Sequence, residues 1–324
     1  MFFHGLRRED SAAPRSRRAE RDFIGKEEVG MSKKGSVPRI VVMACGLFII
    51  VLTLLIGAFL IYRGADTFRV YHHSVAEFLF SSNWNPADDF TGGGQVGAAI
   101  FIVGSLCVCF LALLIATPFS LAAAIFMAVI SPKISDRLFR PAVEIFVGIP
   151  SVVYGWVGAT VLIPALERIF HLQYGYSVLA AGIVLAVMIF PTIASVSADA
   201  VAGVPNGYQE AAYGLGSTRW QVIHRVLLPS AKPGILTGII LGLSRAFGEA
   251  LAVAMVVGKM KAFPSSILDP TSTLTAAIAS DMGGASEGGE YSSALWSMAL
   301  LLLLISYLFI FLVRKISTQG AQER

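Results

Sequence analysis

The stretch EAAYGLGSTRWQVIHRVLLP, residues 210–229, separates two long apolar runs and has a pattern of its own. Glu210 and the alanines after it favour a short helix, and Gly214 and Gly216 permit a tight turn. The residues after the turn predict a second short amphipathic helix, which Pro229 would stop. Two short helices joined in this way lie along the face of a membrane, as an interfacial connector does. The stretch therefore predicts a connection between two membrane-spanning segments.

The rest of the chain is rich in apolar runs. Of its 324 residues 55% are hydrophobic and only 14% are charged, and the mean hydropathy is +0.70, which is typical of a membrane protein. Each of six runs reaches the roughly 20 residues that a helix needs to cross a hydrocarbon layer of about 30 Å. The runs are residues 40–61, 96–130, 142–166, 177–201, 235–257 and 294–313. The sequence predicts an all-α integral membrane protein with six transmembrane helices.

The second run is longer than one upright span requires. As a single helix it would measure roughly 50 Å, well beyond the hydrocarbon layer. Pro118 inside the run favours a kinked helix that continues past the headgroups over two complete crossings. We therefore expect one span here.

The distribution of basic residues predicts the orientation. If both termini are inside, the inside segments hold 19 of the 25 Lys and Arg residues, as the positive-inside rule requires. We expect a multi-pass membrane protein with both ends in the cytoplasm. The net charge of +4 is then a consequence of topology, and nucleic acid is not implied as a partner.

The spans divide the chain into segments with different expected roles. The tail holds many charges and few large apolar residues, so disorder is expected there, and Met31 offers an alternative start. The glycines of the outside loops, at 92–94, 283–284 and 288–289, are interpreted as flexible connectors. The predicted segments are a basic cytoplasmic tail (1–38), the first transmembrane helix (39–62), an external loop (63–94), a core domain (95–258) with its cytoplasmic loop (201–233), a second external loop (259–292), and the last helix with a short tail (293–324).

No nucleotide-binding or metal-binding pattern occurs in the sequence. The chain carries no GxxxxGK[ST] stretch, and its cysteines and histidines lack ligand spacing. We expect the chain to be no enzyme and to bind no cofactor of its own. If ATP and Mg²⁺ drive transport, a separate ATPase subunit must use them.

The spacing within 210–229 resembles the EAA loop of permeases from binding-protein-dependent ABC importers. The resemblance implies that the loop docks into a cleft of the cytoplasmic ATPase and couples ATP hydrolysis to alternating access. One position departs from the family pattern, where Val226 replaces isoleucine. The positions of the motif in this chain are Glu210, Ala211, Ala212, Gly216, Val226, Leu228 and Pro229.

The fifth run contains Arg245 and Glu249. An Arg at the bilayer centre costs about 2.5–3.5 kcal/mol on insertion scales, so an ionisable pair there needs a physical reason. If the run is one helix, both residues lie within about 60° of a small-residue stripe that lets another helix approach. Two interpretations remain open. The residues form a neutral ion pair that locks helices together, or Arg245 serves a crossing anion while Glu249 shields it. The stripe consists of Gly234, Gly238, Gly242 and Ala246.

Three stretches resemble those of PstC-type phosphate permeases. They are SRAFGEALAVAMVVG (244–258), VGIPSVVYG (147–155) and FPTIASVSADAVAGVP (190–205). The resemblance implies the type I (MetI-like) fold of ABC importer permeases, inorganic phosphate as the substrate, and a role in translocation for Arg245 and Glu249.

Irregular turns are predicted inside the third and fourth runs, around Pro150 and at Pro191. Such turns at membrane depth are tolerated where they line a cavity, and their freed amides suit an anion. Ser151 and Thr192 are therefore further candidate substrate contacts, although a kink alone explains each turn equally well.

The resemblance also implies partners. They are a PstA-like permease subunit, a dimer of a PstB-like ABC ATPase and an external PstS-like phosphate-binding protein, with membrane lipid around the helices. A phosphate-sensing kinase system is a further candidate partner, for which the chain would act as a scaffold.

Alternative functions remain. The chain could be the PstA-type partner itself, although that type usually follows the intramembrane Glu with Thr-Ala-Pro, whereas Glu249 precedes Ala-Leu-Ala. It could transport another oxyanion, such as sulfate or molybdate. An ion-coupled secondary carrier, from a different class, would need no ATPase and should lack the EAA loop.

Overall fold

The computed structural model describes residues 36–322. Within that range six helices are long and apolar enough to cross a membrane, which confirms the predicted number. The predicted start at Met31 and the predicted tail up to residue 35 lie outside the described residues. The first helix begins at Ser36, inside the segment predicted to be disordered. The six spans are Arg39–Arg69, Ala99–Ile130, Ser151–Phe170, Val178–Ala202, Arg219–Phe247 and Glu290–Phe311.

The chain divides into one unit that ends at Ala58 and a second that begins at Phe59. Helix α1 (Ser36–Gly64) begins in the first unit, and all other described elements belong to the second. The elements of the second unit are α2 (Asp66–Arg69), α3 (Val75–Phe80), β1 (Trp84–Asn85), β2 (Gln95–Val96), α4 (Ala99–Ile125), α5 (Pro132–Ile134), α6 (Arg140–Gly148), α7 (Ser151–Val157), α8 (Ile163–Phe170), α9 (Val178–Ala202), α10 (Asn206–Gly214), α11 (Arg219–Val222), α12 (Leu228–Phe247), α13 (Leu251–Ala254), α14 (Leu274–Asp281) and α15 (Glu290–Gln322). Strands β1 and β2 pair antiparallel.

Helix α9 lies at the centre of the second unit, between α4 and α12. Small residues allow the close approach, as in many membrane helix pairs. A Cβ added at Gly182 of α9 would lie only 2.8 Å from Leu111 of α4. On the other side, Gly234 of α12 lies against Ala200 of α9, and a Cβ at Gly242 would lie 2.6 Å from Ile193. Gly238, between them, also faces α9.

The second span is one helix, as predicted. Helix α4 continues without interruption through Pro118 and ends in a π-helical turn, Phe126–Ile130. A proline is tolerated inside a membrane helix because neighbouring groups and local adjustments satisfy the freed carbonyl.

Two predictions about the fifth span are wrong. Pro229 does not stop a short helix, because α11 continues through the π-helical turn Ile223–Leu227 into α12, where Pro229 lies in the first turn and its missing N–H costs little. The span also does not continue as one helix to residue 257. It ends at Phe247, with Gly248 as the C-cap, and a separate short helix, α13, follows.

The predicted irregular turns in the third and fourth runs have different outcomes. The third run is broken, since Ile149 is extended between α6 and α7, as the residue before a proline prefers. The prediction for the fourth run is wrong, because α9 passes through Pro191 without a break. Ser120 of α4 donates a hydrogen bond to the carbonyl of Phe190 (3.1 Å) and so supports the helix just before that proline.

Glu290, at the start of α15, is fully buried. Its carboxylate accepts hydrogen bonds from the amides of Ala87 (2.6 Å), Gly93 (3.1 Å) and Gly94 (3.0 Å). His73 Nε2 lies 2.6 Å from the same carboxylate. One acidic side chain therefore fastens the segment before α4 to the last span.

The glycines at 92–94 are part of this arrangement, so their interpretation as flexible connectors is wrong. Gly92 and Gly93 have φ values of +75° and +96°, which L side chains rarely adopt. A Cβ at Gly94 would collide with the backbone nitrogen of Ala87 and with Glu290. Nearby, burial and the charge of Glu290 raise the pKa of Tyr71, whose hydroxyl donates to the carbonyl of Gly288 (2.7 Å).

Candidate substrate site and coupling loop

Arg245 lies near the end of α12 and is half-buried. Its Nη1 donates a hydrogen bond to Thr192 Oγ1 of α9 (3.2 Å). Among the residues that the structure describes, no carboxylate lies within salt-bridge distance of Arg245. A guanidinium has five N–H donors in a planar fork, so most of its donors are available to a ligand. A half-buried cation without a counter-charge favours an anion at this position.

The ion pair between Arg245 and Glu249, one of the two interpretations of the sequence, does not form. The side chain of Glu249 instead accepts a hydrogen bond from the amide of Ala252 (3.2 Å), in the first turn of α13. Its carbonyl accepts from the hydroxyl of Thr275 at the start of α14 (2.8 Å). The reason is local: because α12 ends at Phe247, the two residues are no longer one helical turn apart. The interpretation as a neutral lock between helices is therefore wrong.

Tyr154 is a polar residue of this region that sequence reasoning missed. Its hydroxyl donates to the carbonyl of Phe146 (2.8 Å) across the break before α7. Its phenol lies within range of the positive charge of Arg245. The sequence contains a signal for this contact. A broken helix leaves carbonyls without partners, and a hydroxyl in the following turn can reach one of them.

Ser151, the other candidate of the third run, begins α7 and is half-buried. Within the described part of the chain, no hydrogen bond joins it to Arg245, Thr192 or Glu249. Among the described residues, the structure therefore joins Arg245 to Thr192 by a hydrogen bond, and neither Tyr154 nor Ser151 makes a hydrogen bond to either of them.

The loop 210–229 has a tight turn at its centre. Gly216 has a φ of +82°, which a residue with a side chain adopts only with strain. Thr218 then begins α11 with a capping box, in which its side chain and that of Gln221 each bond to the backbone of the other. Ala212 is buried, whereas Glu210 and Ala211 are exposed.

The buried side of this loop is apolar, and its exposed side carries large apolar side chains. Val226 and Leu228 pack beside a cluster that includes Val222, Ile223 and Leu227. Pro229 is exposed. Tyr208, Tyr213, Leu215 and Trp220 are also exposed, and Leu215 reaches 88% exposure in the turn. Exposed apolar side chains grouped on one short loop favour contact with another protein.

Comparison with known proteins agrees with this architecture. The family model for the binding-protein-dependent transport system inner membrane component matches residues 120–319. A relative from Bacillus subtilis, the probable ABC transporter permease protein YqgH, is 46% identical over 87% of this chain and 90% of its own length. The phosphate transport system permease protein PstC of Pasteurella multocida is 36% identical over 80% of this chain and 84% of its own length.

Two solved structures show the same fold at lower identity. A chain of the inward-facing MetNI methionine ABC transporter has a TM-score of 0.53 and 22% identity, and the match covers 67% of this chain and 93% of that chain. A chain of a bacterial alginate ABC transporter has a TM-score of 0.60 and 15% identity, with coverage of 90% and 96%. The fold is therefore that of a MetI-like ABC importer permease. Since the family model and the relatives each cover more than half of the chain, the protein belongs to the binding-protein-dependent transport system inner membrane components, as a multi-pass permease subunit.

Proposed function

We propose that this chain is the PstC-type permease subunit that moves inorganic phosphate across the membrane. One observation carries the proposal: Arg245 is a half-buried cation with no carboxylate partner among the described residues, positioned by Thr192. Phosphate is an anion whose oxygens accept several hydrogen bonds at once, which suits a guanidinium fork. The relatives named PstC, including that of Pasteurella multocida, support phosphate over other oxyanions.

In the proposed mechanism the ligand is held by the charge and the N–H donors of Arg245. Arg245 donates to phosphate oxygens, while the hydroxyl of Thr192, on the fourth span, fixes the guanidinium. Glu249 lies beyond the end of α12, where its negative charge limits how tightly an anion is held. A site that binds too tightly would not release its ligand, so a negative charge four residues after Arg245 in the chain favours passage.

Permeases of this family work with an ATPase and a substrate-binding protein. For this chain we propose a PstA-like permease partner, a PstB-like ATPase dimer and a PstS-like binding protein. The ATP and Mg²⁺ would then be bound by the ATPase alone. Both termini and the loop 210–229 would face the cytoplasm, because that orientation places most basic residues inside.

The proposed substrate can be tested with purified components. Proteoliposomes that contain this chain and its three partners should take up labelled phosphate when ATP is present on the ATPase side. A large excess of unlabelled phosphate should abolish the signal, and the same excess of sulfate or molybdate should leave it. Uptake of sulfate or molybdate instead would assign the chain to another oxyanion, and uptake without ATPase would indicate a secondary carrier.

Thr192→Val is expected to raise the KM for phosphate about 2- to 10-fold, because the hydrogen bond that holds Arg245 is lost at a cost of about 0.5–1.5 kcal/mol. Thr192→Ser keeps the hydroxyl and should stay within about 2-fold of the wild type. The measurement is the concentration dependence of phosphate uptake. Equal KM values for the two variants would argue against a positioning role for Thr192.

Leu215→Gln is expected to reduce co-purification of the ATPase by roughly 10-fold, since an apolar side chain buried at an interface contributes about 1.5–3 kcal/mol. The exposed Leu138, on the other inside segment, provides a matched control as Leu138→Gln. The ratio of ATPase to permease after affinity purification measures the effect. A comparable loss in both variants would show that the 210–229 loop is not the specific docking element.

A further inference from the structure

Arg219 joins the loop 210–229 to the second span. It occupies the first position of α11, and its Nη2 donates to the carbonyls of Val129 (3.1 Å) and Ile130 (3.4 Å). Both carbonyls belong to the π-helical turn that ends the span, and Ser131 then leaves the helix with φ −146° and ψ 70°. The last carbonyls of a helix lack partners within it, and a cation is favoured at that end.

Apolar contacts hold the same two elements together. Val222 and Ile223, just after Arg219, are buried in a cluster against which Ile125, Ala128 and Val129 of the second span pack. Apolar contacts are non-directional, so they let the surfaces slide. The hydrogen bonds of Arg219 have a preferred direction and fix the position of the loop along the helix.

The other end of the second span lies beside Glu249. The hydroxyl of Ser105 accepts a hydrogen bond from the amide of Leu274, at the start of α14 (3.0 Å). Thr275, the next residue, donates to the carbonyl of Glu249 (2.8 Å). From Ser105 to Val129 the helix extends about 36 Å, at a rise of 1.5 Å per residue. One unbroken helix therefore connects the 210–229 loop to the segment that holds Glu249.

We propose that Arg219 is a positioning residue that transmits movement of the 210–229 loop to the second span, which carries it to the segment around Glu249. This inference rests on the proposed docking of the loop to the ATPase. Arg219 is exposed, and an exposed hydrogen bond contributes only about 1 kcal/mol to stability. The role of Arg219 is therefore to make the second span move in a defined direction when the 210–229 loop moves.

The test compares transport with ATP hydrolysis in proteoliposomes of the complete complex. Arg219→Ala should lower the amount of phosphate imported per ATP hydrolysed by about 3- to 10-fold. A change of this size is expected when the hydrogen bonds of one side chain are lost. Arg219→Lys keeps a donor that can reach a carbonyl and should restore much of the ratio. The control is Arg137→Ala, which removes an exposed charge that makes no contact among the described residues and should leave the ratio at the wild-type value.

Three outcomes would overturn the inference. The ratio for Arg219→Ala could equal that of the wild type. The ATPase could fail to co-purify with this variant, which would make Arg219 a docking contact. In a double-mutant cycle, the effects of Arg219→Ala and Ser105→Ala on the ratio could be additive. If the two residues lie at opposite ends of one transmitting element, their effects should be non-additive. If the wild-type complex imports no phosphate, the proposed function has failed instead, so the two failures are distinguishable.

Discussion

Replacing Arg245 by glutamine is expected to lower the kcat/KM for phosphate uptake roughly 10- to 100-fold. The loss of a charged donor from a hydrogen bond costs about 1.5–3 kcal/mol, and every 1.4 kcal/mol is a factor of ten. The effect should be large because, among the described residues, the side-chain hydrogen bond of Arg245 joins it to the neutral hydroxyl of Thr192, which cannot supply the lost charge. The measurement is the initial rate of labelled-phosphate uptake in complexes shown to contain all subunits.

Two further variants complete this experiment. Arg245→Lys keeps the charge but loses the planar fork, so its uptake should lie between those of the wild type and Arg245→Gln. Arg168→Gln removes an exposed arginine at the end of α8 and should leave uptake unchanged. Near-normal uptake by the glutamine form of Arg245 would contradict the proposed site.

Replacing Glu290 by alanine is expected to destabilise the protein by about 3–5 kcal/mol, because the amides of Ala87, Gly93 and Gly94 lose the buried carboxylate that accepts their hydrogen bonds. For a domain of this size the loss corresponds to a fall in Tm of roughly 6–20 °C. Glu290→Gln retains an amide oxygen as acceptor and should lose less stability than Glu290→Ala. The measurement is thermal unfolding of the detergent-purified protein.

Glu287 provides the matched control for this variant. It lies three residues before Glu290, is almost fully exposed, and only approaches Arg63 at 3.8 Å. Exposed ion pairs contribute little, so Glu287→Ala should unfold within about 2 °C of the wild type. If the two alanine variants unfolded at the same temperature, the carboxylate of Glu290 would not hold the segment before α4 in place.

The six spans could be predicted from the sequence because the signal is local. A run of about 20 apolar residues must form a helix in lipid, where every backbone group needs an internal partner. The single crossing at 96–130 and the break near Pro150 follow from the same kind of information, since helix length and the restriction on the residue before a proline depend on near neighbours. The spacing within 210–229 is also local, and it predicted the family that the comparisons show.

The partners of Arg245 and Glu290 could not be predicted in this way. Sequence spacing paired Arg245 with Glu249, but the helix ends between them, and Thr192 becomes the partner because the small residues of α12 allow α9 to pack closely. Sequence patterns indicate flexibility for the glycines at 92–94. In the structure, these residues surround the carboxylate of Glu290, which is almost two hundred residues away in the sequence.

What the sequence by itself determined is therefore the six-span architecture, the family and the location of the 210–229 loop. Only the tertiary structure decided that Arg245 has no counter-charge among the described residues, that Glu290 is buried among backbone amides, and that Arg219 reaches the end of the second span. The physical reason is that hydropathy and helix breaking depend on neighbours along the chain, whereas charge compensation depends on which helices pack together.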